Sequence, residues 1–280
     1  MPKIFSSADR ALAAHIEGAE AATALALARA LQQANPKTVA AAEPALGGSA
    51  LFGGVGSPMT HALGIGMTGA ADEAAFDRME EFFRSRGSAS LIDLCPMADP
   101  TVIRMVHERG YHVIEFNNVL VREVVAEPVP EIGTREAFPV SGGGLHIEKV
   151  QPQDNETWAN VVARGFLEQD QVPAEFMEMM SGGPGMSDCF LARLNGQPAG
   201  GGAVGIRGGV ASFYGDATLV AARGHGIQRA LIEQRLAHAA RAGCDVATVA
   251  VVPGSGSHRN YERCGFQLVY MRVNVMREWK

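Results

Sequence analysis

The chain has 280 residues, 47% of them hydrophobic and 19% charged, with a formal net charge of −6. That length allows one large domain or two of ordinary size, and the apolar share supplies a core and argues against global disorder. A net negative chain gives no reason to expect nucleic acid as a partner, because a phosphate backbone is held by clustered Lys and Arg.

Cys95, Cys189, Cys244 and Cys264 lie far apart. Their spacing fits neither a disulfide framework nor a zinc site of paired cysteines, and reads as reduced thiols in a cytoplasmic protein. The eight histidines form no HExxH pair, so no metal is expected.

In chain order, the first element is an amphipathic helix starting near Ser7. Its apolar stretch is interrupted by Arg10, His15, Glu17 and Glu20 and never reaches the roughly 18 apolar residues that a membrane span needs. Next, Gly64–Gly69 (GIGMTG) matches the letters of the dinucleotide fingerprint. No apolar strand precedes it, however, and Asp72 and Glu73 stand at the following helix start, where carboxylates repel phosphate. Residues 82–123 fall on 237–278 without a gap when the chain is shifted by 155 positions, Gly110 meeting Gly265 and Arg122–Glu123 meeting Arg277–Glu278. Both stretches read as a helix end, an apolar strand, a short helix, a glycine turn and a long strand, the signature of a tandem repeat. Between the halves lies a proline-rich and glycine-rich linker, 126–144, which divides the chain into domains 1–125 and 145–280.

In the second half, Asp188–Leu194 and Gln197–Ile206 flank an Asn195–Gly196 turn and predict a hairpin. Val210–Leu219 follows as a third antiparallel strand. Gly226–Ala242 is an Ala/Leu-rich helix with Gly243 past its end. Val246–Val252, apolar on both faces, is a central strand, and a short helix near Ser257–Arg263 leads to the last strand.

Chemistry concentrates in the loop ATLVAARGHGIQRALI (217–232). Arg223, Gly224 and Gly226 stand where a strand turns into a helix. Glycines there let a ligand approach the backbone, and the first-turn N–H groups with the helix dipole form an anion site suited to a pyrophosphate. The alternative is an ordinary glycine-rich turn. Tyr261 lies four residues before Gly265 on the short helix, at the mouth of the same cleft. A phenol there is matched to protonating a leaving thiolate, since both titrate at about 8.5–10; a half-buried structural tyrosine is the other possibility.

The sequence R-G-H-G-I-Q before the helix, followed by N-Y-E-R-C-G-F before the final strand, resembles the GNAT acyltransferase superfamily. The first stretch looks like that family's Q/R-x-x-G-x-G/A pyrophosphate motif and the second like its Tyr-x-x-x-Gly-Phe motif. The resemblance covers residues 145–280. It implies an α/β fold with a mixed sheet, built as two tandem GNAT-like domains, and an acetyl-CoA-dependent N-acetyltransferase. Asp216, Ala217 and Thr218 would lie on the strand bulge beside the pantetheine arm. Gly224, His225, Gly226, Ile227, Gln228 and Arg229, with Arg223 and Ser257, would hold the coenzyme, and Tyr261 would be the general acid. Gln228 departs from the usual Gly or Ala, and Gly254 from a frequent Asn whose role would pass to Ser255 or Ser257.

Direct attack of an amine on the thioester needs positioning and N–H groups near Ala217–Thr218 rather than a cysteine nucleophile. Asp216 and Glu168 are both candidates for the base. In the first half the shift places Thr68–Glu73 on Arg223–Gln228 and Val106 on Tyr261, so that half is expected to keep the fold, lack coenzyme binding and shape the acceptor pocket. The acceptor, an amine of a small molecule or peptide, has no identifying motif; 175–180 and 182–188 are candidates for its lining. A catalytically idle acyl-CoA-binding protein is the competing function. The oligomeric state stays open between internally paired halves and a homodimer.

Overall fold

A computed structural model describes residues 9–125 and 144–279. The expected linker therefore lies outside the described residues except for Gly144. Two compact units form. The first holds the described residues up to Leu120, with Val251–Pro253 and the stretch from Leu268 onward; the second holds the described residues of Val121–Ala250 and Gly254–Gln267.

The first unit runs α1 (Arg10–Ala34), β1 (Ala41–Ala45), β2 (Gly48–Phe52), β3 (His61–Leu63), α2 (Glu73–Arg84), β4 (Ser90–Leu94), α3 (Pro100–Glu108) and β5 (His112–Glu123), whose last residues belong to the second unit. The second unit continues with β6 (Leu145–Lys149), α4 (Asn155–Leu167), α5 (Ala174–Ser181), α6 (Gly183–Met186), β7 (Asp188–Leu194), β8 (Gln197–Arg207), β9 (Val210–Thr218), α7 (Ile227–Arg241), β10 (Val246–Val251) and α8 (Gly256–Arg263). The last strand is β11 (Gln267–Arg277). The 155-residue shift carries α3 onto α8 and β5 onto β11 to within one residue at each end.

Within the first unit the strands follow the order β1-β2-β3-β4-β11, with β3 and β4 parallel and the other pairs antiparallel. From Leu268 on, β11 packs in this unit, so the compact units part from chain order at the last strand. In the second unit the order is β10-β9-β8-β7-β6, parallel only between β10 and β9. Helices and a mixed sheet together give the α/β class that the motifs imply.

Local chemistry accounts for the boundaries. Asp9 caps α1, its Oδ1 accepting the Leu12 N–H at 2.8 Å. Asn195 and Gly196 both take positive φ (52° and 80°), the geometry of a tight hairpin turn. The core of the second unit gathers around Trp158, which packs with Val161, Val162, Leu191 and Ala217. Its Nε1 donates to the Phe190 carbonyl at 3.1 Å, so the indole is buried without an orphaned donor.

The glycines of GIGMTG serve packing. A Cβ on Gly64 would sit 2.8 Å from the Glu17 carbonyl oxygen of α1, and one on Gly66 would sit 2.6 Å from Val102 Cγ2 of α3. The same unit buries an ionic network. Arg272 Nε and Tyr270 Oη both donate to Glu17 Oε1, at 2.8 and 2.7 Å, and Arg272 Nη2 lies 2.7 Å from Glu20 Oε2. Burial pushes the Glu17 carboxyl above its ordinary value, and the Arg272 charge opposes that rise.

Candidate active site

In the second unit, β10 pairs with β9 only from Val246–Val210 to Val249–Phe213. Beyond that point β9 runs on to Thr218. The Leu219 N–H is donated to the Ala199 carbonyl of β8 at 2.9 Å. Alternation along an extended strand therefore turns the Thr218 amide the other way, toward the side that β10 has left. Opposite, the β8–β9 register slips between Gly201 and Ala203, so Gly215 and Asp216 together face Gly202. Two residues against one is a β-bulge, and it re-aims the side chain of Asp216.

The chain then passes through a short 3₁₀ turn, Val220–Ala222, to the start of α7. Gly224 and Gly226 take φ of 82° and 75°, and a Cβ on either would meet no atom within 4 Å. Gly226 occupies the N-cap position, and no side chain caps the helix. The positive end of the helix dipole is thus left without a capping partner. Arg223, half exposed, is paired with Glu168 at 2.6 Å, and Arg229 with Glu233 at 2.8 Å. His225 Nδ1 sits 3.0 Å from the Arg223 carbonyl oxygen, and Ile227 is buried.

The two departures from the family pattern have local explanations. Gln228 donates to Ser257 Oγ at 2.7 Å and accepts from Asn260 Nδ2 at 2.8 Å, which ties α7 to α8. Ser255 caps α8, accepting from the His258 N–H at 3.0 Å, and Gly254 has a φ of 71°. Ser257 is therefore held by Gln228, and Ser255 by its own helix.

Tyr261 and Asp216, far apart in sequence, meet. The phenol is fully buried and donates to Asp216 Oδ2 at 2.6 Å. Burial pushes the phenol well above the usual tyrosine value; Arg235 opposes that rise and Asp216 adds to it. The phenol therefore holds its proton at neutral pH.

Arg235 belongs to neither motif. Its one sequence signal is a cation on the apolar stripe of α7, one turn after Leu231, where Ile227, Leu231 and Ala239 are buried. The thiols offer no nucleophile: all four are buried and pushed up by burial, Cys95 to about 11. Met177 and Met180 pack against the Trp158 cluster, so part of the 175–180 stretch serves the core. A polar groove of about 470 Å³ lies along α4, lined by Glu156, Asn160, Arg164, Gln197 and Leu219 among others.

Residues 155–266 match the family model described as the acetyltransferase (GNAT) family. This segment is a GNAT acetyltransferase domain. The match runs from the first residue of α4 to the glycine turn after α8, enclosing β9, the α7 start and Tyr261.

A GCN5-related N-acetyltransferase from Kribbella flavida is similar over 93% of this chain and 96% of its own, at 19% identity and a TM-score of 0.62. A second, from Sphaerobacter thermophilus, covers 73% of this chain and 67% of its own at 17% identity and a TM-score of 0.53. A tandem GNAT protein from the clavulanic acid biosynthesis pathway covers 73% and 69% at 15% identity and a TM-score of 0.51. At these identities the likeness is one of fold. No curated protein matches the chain. Among the described residues, no helix is long and apolar enough to cross a membrane, and no cluster of three or more His, Cys, Asp or Glu side chains is placed to hold a metal.

Proposed function

We propose that the GNAT domain transfers an acetyl group from acetyl-CoA directly to an amine of a small molecule or peptide. The observation that carries this is the free edge of β9 past Phe213, leading to an uncapped helix start with open space over Gly224 and Gly226. A strand edge suits the amide-bearing pantetheine arm, and the helix start suits a pyrophosphate. When bound, acetyl-CoA supplies an activated acetyl group as its thioester. Gly224–Arg229 hold the phosphates, and Arg223 adds a cation beside them.

The Thr218 amide is placed to steady negative charge on the carbonyl oxygen. Tyr261 serves as general acid, keeping a proton at Oη for the leaving sulfur. Asp216 orients that hydroxyl. Its carboxylate already accepts from Tyr261 and Arg235, so proton removal from the acceptor falls to water or another group.

A second reading, acyl-CoA binding without turnover, draws on one observation: the Tyr261 hydroxyl is buried and already engaged with Asp216. Calorimetry with acetyl-CoA on the wild type and on Arg223→Glu/Gly226→Asp comes first. Binding on the order of micromolar, weakened at least ~100-fold in the double variant, is the expected outcome. No binding to the wild type rules the site out. Binding with no thioester consumption against a panel of amines moves the idle reading to the front.

A further inference from the structure

Arg235 is a fully buried guanidinium in the middle of α7, and the proposed chemistry gives it no task. Every nitrogen of its head group has a partner. Nε donates to the Leu231 carbonyl at 3.1 Å, and Nη1 to the Ala203 carbonyl at 3.0 Å and to Asp216 Oδ2 at 3.2 Å. Nη2 donates to Asp216 Oδ1 and, at 3.3 Å, to Tyr261 Oη. The head lies 4.6 Å over the Phe213 ring. It fits because residue 202, opposite the bulge, is glycine: a Cβ there would stand 2.9 Å from Arg235 Cζ. A leucine on this stripe would pack without any of these arrangements. The bulge, the glycine and the arginine together build a place for one cation against Asp216 and Tyr261.

We propose that Arg235 is a positioning residue for acetyl transfer, holding the Asp216 carboxylate and supplying the positive charge against which Tyr261 releases its proton. This rests on Tyr261 as the general acid. In that step the acceptor's C–N bond forms as the thioester C–S bond breaks. The Oη–H bond breaks and its proton passes to the leaving sulfur to form S–H, and the proton lost by the amine passes to water, from which the phenolate is reprotonated. Among the described residues, the charged groups acting on the hydroxyl are Asp216 from β9 and Arg235 from α7. With Asp216 alone, the phenolate would form beside a like charge in a buried setting. Arg235 opposes that penalty and also fixes the carboxylate through two nitrogens, as a planar fork does and a lysine does not.

The test compares Arg235→Lys, Arg235→Met, Tyr261→Phe and the Arg235→Lys/Tyr261→Phe pair. Tyr261 is observed directly by NMR of protein carrying ¹³Cζ-labelled tyrosine, without coenzyme; its signal is the one missing in Tyr261→Phe. The Tyr261 resonance is expected to move in Arg235→Lys while acetyl-CoA affinity by calorimetry stays within about twofold. In turnover, kcat is expected to fall ~10-fold in Arg235→Lys and ~100-fold in Arg235→Met and Tyr261→Phe, with KM for acetyl-CoA unchanged. The double variant should lose no more than Tyr261→Phe alone. If Arg235→Met does not fold, Arg235→Lys decides.

An unmoved resonance with wild-type kcat in Arg235→Lys, or losses that multiply in the double variant, overturns the proposal while leaving the general acid in place. An unchanged kcat in Tyr261→Phe, or a wild type that binds acetyl-CoA and acetylates no amine, overturns the general-acid reading and this proposal with it.

Discussion

In the second unit β9 outruns its parallel partner, continuing to Thr218 after the pairing stops at Phe213. In the first unit β3 ends at Leu63, the same residue at which its pairing with β4 ends. The helices that follow differ at their starts. Gly226 leaves α7 uncapped, whereas Asp72 Oδ1 accepts the Ala75 N–H at 2.7 Å and Glu73 adds a second carboxylate in the first turn of α2. Under the 155-residue shift Arg235 corresponds to Glu80, which accepts from Arg109 at 2.9 Å and Arg277 at 2.7 Å. Tyr261 corresponds to Val106. The same run of elements thus carries two kinds of interior. One keeps an open strand edge and an anion-ready helix start; the other spends its charges on holding strands and helices together. Under the proposed function, chemistry depends on strand length and helix-start residues, while the fold tolerates either set.

The sharpest way to break this contrast is Arg272→Met in the first unit. It leaves Glu17 buried with Tyr270 and no direct cation. Removing one partner of a buried pair is expected to cost about 3–5 kcal/mol, read as a lower melting temperature and denaturant midpoint. Acetyl-CoA affinity of the folded protein should not move. The Glu17 carboxyl is already raised, and loss of Arg272 raises it further. A raised carboxyl stabilises the fold below its unfolded value, near pH 4.5, and that contribution is lost as pH climbs through the folded value. The penalty of Arg272→Met should therefore be larger at pH 7 than at pH 5. Equal penalties at both would show Glu17 to be paired elsewhere.

Next in size is Gly202→Ala in the second unit. Its Cβ would press the Arg235 guanidinium at 2.9 Å. Overpacking of this kind costs about 1–3 kcal/mol. If the interior of the second unit serves catalysis, kcat should fall by more than the loss of folded protein explains. A variant that loses stability alone would make the two interiors equivalent.

The features that separate the units were legible in the sequence to very different degrees. The β7–β8 hairpin, α7 and β10 follow from local signals: Asn195–Gly196, Gly226, Gly243 and an apolar run each act within a few residues. The β1–β2 hairpin turns at Leu46–Gly47, both at positive φ, in a stretch (AAEPALGGSALF) without alternation or an Asn-Gly turn to announce it. Tyr261 and the α7 glycines were found because they sit in motifs. Asp216 is legible as a candidate base, but its pairing with Tyr261, and Arg235 altogether, are not, because Arg235 and Asp216 come to the phenol from 26 and 45 positions away through packing of α7 and β9. The separation of β9 from β10 is decided by pairing across the sheet; its one local trace is Gly215–Asp216, residue types uncommon in strand interiors and found at bulges.

Smaller in effect, Asp72→Ala and Gly226→Asp test the helix starts as a pair. Removing the α2 cap should cost about 0.5–2 kcal/mol of stability with no change in coenzyme binding. Adding a carboxylate at the α7 start should leave stability within about 1 kcal/mol, because favourable dipole contact offsets strain at φ 75°. Coenzyme binding should nevertheless be lost. Opposite outcomes from nearly matched positions would confirm that α7 alone is kept free for an anion; weakened coenzyme binding in Asp72→Ala would place an anion site in the first unit.

The smallest effect is expected at Asp188, whose carboxylate sits 2.6 Å from both His238 Nε2 and Lys149 Nζ. The His238 hydrogen bond lowers the carboxyl well below its ordinary value against the opposing effect of partial burial, and Lys149 lowers it further. A lowered carboxyl contributes stability above its unfolded value, near pH 4, and loses it as pH falls toward the folded one. A third of the side chain is exposed, so solvent screens the pair and Asp188→Asn should cost no more than about 1 kcal/mol at neutral pH. The gap to the variant should only begin to narrow below pH 4 and close further as pH falls toward the folded value, and the difference at pH 7 should shrink in high salt. A pH 7 gap that high salt leaves unmoved would assign the contribution of Asp188 to packing of β7 rather than to its charge.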